Sequence, residues 1–166
     1  MRELPNAHYL DKIVSDYANK LHGLLQNLLP PYPNEAEFRQ PVDQLLTEFC
    51  AEAELNPLAH AEYPIPQGHA HYTLATGRAD AVFNRLVIEY ERPGTLSEKL
   101  SHHATAHAVD QVKRYIAGLA QRQHHTRMAG IVFDGRYIIF VRYRMGDFQV
   151  ESPVAGADAR ADECPR

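Results

Sequence analysis

The segment from Gly77 to Gly94, GRADAVFNRLVIEYERPG, constrains this chain more than any other. Two runs of strand-forming residues flank Asn84-Arg85, a polar two-residue loop of the kind that closes a tight hairpin. Strands joined in this way pair Phe83 with Leu86, Val82 with Val87, Ala81 with Ile88 and Asp80 with Glu89, and they bring Arg78 opposite Glu91. Side chains alternate along a strand, so Ala79, Ala81, Phe83, Leu86, Ile88 and Tyr90 share an apolar face, expected to pack on a helix. Arg78, Asp80, Val82, Val87, Glu89 and Glu91 share the other. Carboxylates directly opposite each other destabilise a ladder unless something neutralises them, and a divalent cation held by oxygen ligands does so. A solvated outer face is the simpler reading of the same pattern. The run Leu-Val-Ile-Glu-Tyr argues against it, because it reads as a strand buried on both sides, where an uncompensated carboxylate is costly.

This hairpin resembles the core of the PD-(D/E)xK nuclease superfamily, the restriction-endonuclease-like fold. In that family an Asp on one strand precedes an acid-x-Lys triplet on the next. Asp80 matches the first acid and Glu89-Tyr90-Glu91 the triplet, with Glu91 standing where the family carries lysine. Arg92 follows but points to the opposite face of a regular strand, so it does not replace that lysine. Gln111-Val-Lys-Arg-Tyr115 is similar to the Gln-x-x-x-Tyr signature of the nuclease domains in bacterial helicase-nucleases. Its two polar groups lie one helical turn apart on one face. Upstream, Glu37 stands where the superfamily often supplies another acid, although Asn34-Glu-Ala-Glu37 also reads as a helix N-cap with an acid at its third position. The resemblance runs from about Glu37 to Tyr115.

The resemblance implies metal-dependent hydrolysis of a DNA phosphodiester. Asp80 and Glu89, with the Tyr90 carbonyl, would hold Mg²⁺ or Mn²⁺, and Glu37 would join through a second ion or a bridging water. Glu91 would bind metal or act as general base, and Gln111 and Tyr115 would position water or phosphate. Lys113, Arg114 or Arg78 would supply the positive charge that the missing lysine leaves open. The alternative is a nuclease-like module that has lost cleavage and serves as a DNA-binding or assembly domain attached to a methyltransferase or helicase. Pairing of two copies into a homodimer is a further expectation from the family.

The rest of the chain reads as an α/β domain over residues 1–150. An amphipathic helix spans Asp11 to Leu29, with Ile13, Val14, Tyr17, Leu21, Leu24, Leu25 and Leu28 at the helical period. A second helical stripe follows in Phe38, Val42, Leu45, Leu46 and Phe49, with Pro41 kinking the helix or starting it. Strand pieces at Ala61–Pro66 and His69–Ala75 lead into the hairpin. Ser97 is expected to cap a long helix ending near Arg122, and Met128–Phe133 pairs with Arg136–Tyr143 across the Asp134-Gly135 turn. That order fits the α-β-β-β-α-β core that the resemblance implies, a central mixed sheet flanked by helices, with an extra N-terminal helix and a final strand. Residues 151–166 read as a disordered tail or truncated linker.

Composition bears on the setting. A chain of 166 residues with 45% hydrophobic content can bury one sizeable core. Cys50 and Cys164 make neither a disulfide framework nor a zinc knuckle, so a reducing, cytoplasmic setting is expected. No apolar run approaches membrane-spanning length. The net charge of −4 is unusual for a DNA partner, which calls for a local basic footprint. His103 and His107 have the one-turn spacing of paired zinc ligands, but no third ligand is fixed in the sequence; surface positions explain them more simply. There is neither a Gly-x-Ser-x-Gly elbow nor a phosphate-cradling glycine loop.

Overall fold

The structure, a computed structural model, describes residues 7–29, 33–54, 59–67, 75–83 and 85–156; side chains at 7, 59–67, 75–81 and 83 lie outside that description. The chain divides into two compact units, Met1–Pro57 and Leu58–Arg166, a division that the composition does not anticipate.

The first unit is a helix pair, α1 (Ala7–Leu28) and α2 (Glu35–Glu52). Ile13 and Leu25 of α1 and Phe38, Val42 and Cys50 of α2 are buried. The rings of Tyr17 and Phe49 meet at 4.7 Å between centroids. Burial pushes the Tyr17 hydroxyl up to about 12, with smaller contributions from Cys50 and Asp43. Asn34 starts α2 through a complete capping box. Its side chain accepts from the Glu37 N–H and its own N–H donates to the Glu37 carboxylate, both at 2.9 Å. Pro41 lies inside α2 and does not start it.

The second unit is one sheet, in the order β1 (Ala59–Gln67), β2 (Ala75–Phe83), β3 (Leu86–Tyr90), β4 (Arg127–Phe133), β5 (Tyr137–Arg144) and β6 (Asp147–Val150). A short β7 (Val154–Ala155) also pairs with β5. Among the described strands only β3 and β4 run parallel, and α3 (His103–Gln123) is the crossover that parallel strands need. Next to its loop the acidic hairpin forms in the expected register, with Phe83 opposite Leu86, Val82 opposite Val87 and Ala81 opposite Ile88; the expected Asp80–Glu89 and Arg78–Glu91 pairs are not among the described ones. Its helix partner, α3, covers the face expected to carry the carboxylates. Val82 and Val87 pack in one cluster with Val109, Val112, Ile116 and Leu119 of α3. Ile88 and Tyr90, on the opposite face, are buried as well, so β3 is covered on both sides, in keeping with its continuous apolar run.

Gly130 explains how closely α3 approaches β4. A Cβ there would stand 2.3 Å from Cγ1 of Val112 and 2.9 Å from Cδ1 of Ile116. Both partners are fully buried, so the hydrogen at this position is what lets the helix seat.

Three boundaries differ from expectation. Ser97 does not cap α3: its hydroxyl accepts from the Lys99 N–H at 3.3 Å, and the helix begins at His103 behind His102, which makes no side-chain cap bond. Gly146 and Met145, both at positive φ, make a two-residue turn into β6, which the sequence reading omits. The residues after Val150 are not a tail from the outset. Val154 and Ala155 pair with Ile138 and Tyr137, and Gly156 N–H donates to the Arg136 carbonyl at 2.6 Å. Residues 157–166, including Cys164, lie outside the described residues.

Candidate functional site

Parallel strands joined by a helix leave a crevice beyond their carboxyl ends, where ligands of α/β sheets commonly bind. Here that end is formed by Tyr90 of β3, Phe133 of β4 and the segments that follow. The Glu91 N–H donates to the Phe133 carbonyl at 2.9 Å and carries the parallel ladder one step past β3. Glu91 itself is partly exposed.

Glu89 lies one residue inside that end, level with Val132, and is 4% exposed. It shares strand parity with Val87, so its carboxylate faces α3. Gln111, on the facing side of the helix, donates through Nε2 to Glu89 Oε1 and also lies 3.1 Å from the Tyr115 hydroxyl, to which it donates. Tyr115 is buried within the helix–sheet core. Strand acid, helix amide and phenol thus form one linked chain of polar groups inside an otherwise apolar layer. The (i, i+4) spacing places both helix groups over the same strand position. The solvated-face reading of Glu89 is excluded by its burial.

The described β2–β3 pairs reach Ala81–Ile88, one residue short of Asp80 and Glu89. The side chains of Asp80 and Arg78 lie outside the described residues. Glu37 spends its carboxylate on the capping box of α2, in the other unit. Lys113 pairs with Asp110 at 3.7 Å, and it stands two residues from Gln111, on a different side of the helix. Arg114, His103 and His107 are exposed. Among the described residues no three His, Cys, Asp or Glu side chains gather into a cation cage.

Asp134 is the site-proximal residue whose role exceeds its sequence signal. It is fully buried and accepts four backbone N–H groups: Gly94 at 3.1 Å and Leu96 at 2.9 Å on Oδ2, Arg136 at 2.9 Å and Tyr137 at 2.8 Å on Oδ1. It therefore makes the β4–β5 turn and ties that turn to the loop leaving β3. Thr105, also fully buried, accepts the Ser97 N–H at 2.9 Å and fixes the far end of the same loop. The Asp-Gly pair signals the turn; nothing local signals the reach to residues 94 and 96. Asp134 acts as a structural acid, as turn chemistry predicts.

No described helix is long and apolar enough to cross a membrane. Comparison of the chain with protein-family models, with curated proteins and with solved structures finds no match.

Proposed function

We propose that this chain is a metal-dependent deoxyribonuclease domain that hydrolyses DNA phosphodiesters at the carboxyl end of β3. The observation that carries the reading is the Gln111 amide, which donates to both Glu89 and Tyr115. Two motifs that resemble the PD-(D/E)xK family, one on a strand and one on a helix, meet there side chain to side chain.

The donor chemistry suits a hard cation. Glu89 and Asp80 offer carboxylate oxygens and Tyr90 a carbonyl, the ligand type that Mg²⁺ and Mn²⁺ prefer. A bound divalent ion would activate water and offset charge developing on the phosphate. Within this division of labour Gln111 holds the Glu89 carboxylate in one orientation, and the Tyr115 hydroxyl is held by the same amide. Glu91, partly exposed at the strand end, would accept a proton from water outside the core. DNA is the substrate class, and the resemblance allows for a homodimer or an attached methyltransferase or helicase.

One feature favours a second reading, a nuclease-like DNA-binding or assembly module without cleavage: Glu91 replaces the lysine that the family uses to stabilise charge. Ion binding separates the two. Millimolar Mn²⁺ is expected to raise the melting temperature of the wild type, because a ligand that binds only the folded state stabilises it by mass action. Asp80→Ala and Glu89→Gln are expected to abolish the rise. An equal rise in wild type and both variants, or none in any, argues for the module.

A further inference from the structure

We propose that the open face of β4, β5 and β6 is a phosphate-backbone surface that anchors a polynucleotide away from the Glu89 site; its assignment to nucleic acid rests on the nuclease reading above. Arg127 and Arg144 stand directly opposite each other across the β4–β5 ladder, and Arg142 follows two residues along β5 on the same face, opposite Ala129. All four residues are exposed. Arg85, in the β2–β3 turn, adds a fourth exposed guanidinium at this end of the sheet, since its neighbour Leu86 is level with Ala129.

Like charges paired across a ladder destabilise it, so an Arg–Arg pair at a strand end needs a counter-charge. Arg142 has one in Glu151, at 2.7 Å. Asp147 is level with Arg144, yet among the described residues no ion pair engages Arg127 or Arg144. In a chain of net charge −4, this local excess of positive charge runs against the whole. A cavity of about 870 Å³ at this end of the sheet is lined by Arg127, Arg142 and Arg144 together with Met128, Tyr143 and Phe148. Tyr143 and Phe148, a cross-strand pair of the β5–β6 hairpin, meet ring to ring at 5.1 Å. Guanidinium forks match phosphate oxygens in bidentate fashion. They match carboxylates too, but a polynucleotide presents its charge continuously, which suits guanidinium groups spread along one sheet end.

The surface is not the catalytic crevice. Arg127 opens β4, whereas Glu89 is level with Val132 near its close, about 17 Å along the strand, and the two lie on opposite sides of the sheet.

Fluorescence anisotropy of the full chain with a short labelled duplex and a labelled single strand, in chelator and over a range of salt, tests this. Replacing Arg127, Arg142 and Arg144 together with Gln should weaken binding about tenfold or more and flatten the log–log salt dependence by roughly 2–3. The corresponding triple Lys variant should keep the wild-type salt slope. Unchanged affinity in the Gln variant overturns the surface. Polyglutamate competing as strongly as DNA overturns its assignment to nucleic acid and points to an acidic protein. Arginine-dependent binding in a wild type that does not cleave with Mn²⁺ upholds the surface while the catalytic reading fails.

Discussion

Tyr115 and Glu91 are the residues at which the proposed chemistry can be told apart from packing. Tyr115 is buried among α3 and sheet residues, and its hydroxyl receives the Gln111 amide, so either ring or hydroxyl accounts for its presence. Tyr115→Phe keeps the ring and removes only the hydroxyl. Stability is expected to fall by about 1 kcal/mol, the scale of one hydrogen bond, while the cleavage rate falls at least tenfold. A melting curve beside a single-turnover assay separates the two, and unchanged cleavage assigns Tyr115 to the core alone. Glu91 tests the departure from the family pattern. It is partly exposed, so Glu91→Gln should fold normally and bind DNA as before, yet lose cleavage. Cleavage at the wild-type rate by that variant removes Glu91 from the mechanism. Glu91→Lys, which restores the family residue, reports whether a positive charge serves in its place.

At the scale of elements, the crossing of α3 over β4 decides whether the Glu89–Gln111 contact exists at all. Gly130→Ala should cost about 1–3 kcal/mol by overpacking against Val112 and Ile116. Its effect on cleavage should exceed its effect on stability, because lifting the helix separates Gln111 from Glu89; urea denaturation and activity measured on the same samples check this. In the helix pair, Tyr17 titrates near 10 when unfolded and near 12 when folded. The neutral phenol is thus favoured by folding, a contribution that is complete below pH 10 and lost as pH rises toward 12. Tyr17→Phe should flatten the loss of melting temperature above about pH 10, and an identical alkaline profile would contradict the burial of that hydroxyl. The elements themselves were legible to different degrees. The three hairpin pairs nearest the loop followed from loop length and alternation, and the α2 cap from Asn34 and Glu37, because both are local chemistry. Ser97 misled because an isolated serine cannot say whether its hydroxyl caps a helix or closes a turn. β6 escaped because its turn holds Met145 at positive φ, a conformation its residue type does not announce. β7 is two residues long and exists through pairing with β5, which no local pattern encodes.

For the whole molecule, two compact units and a mixed sheet came only partly from the sequence. Periodicity gave the helices and most strands, but the division after residue 57 depends on which elements meet. The side of β3 that α3 covers was also beyond alternation, which sorts residues into two faces without saying which the helix takes. For the site, Glu89 was legible from strand alternation, and Gln111 and Tyr115 from their resemblance to the Gln-x-x-x-Tyr signature, whereas the fourfold service of Asp134 required distant backbone. The acidic chain and its basic sheet end are reconciled by position, with Glu89 near one end of the sheet and the arginines at the other. The central claim is that Glu89 does metal-dependent chemistry on DNA, and cleavage of supercoiled and linear DNA by wild type and Glu89→Gln, with Mn²⁺ and with chelator, tests it most directly. Wild type is expected to cleave only with the ion, and Glu89→Gln, which still offers an oxygen to Gln111, is expected to be slower by about 100-fold or more. Equal cleavage by the two proteins, or no cleavage by wild type with Mn²⁺, would contradict the account.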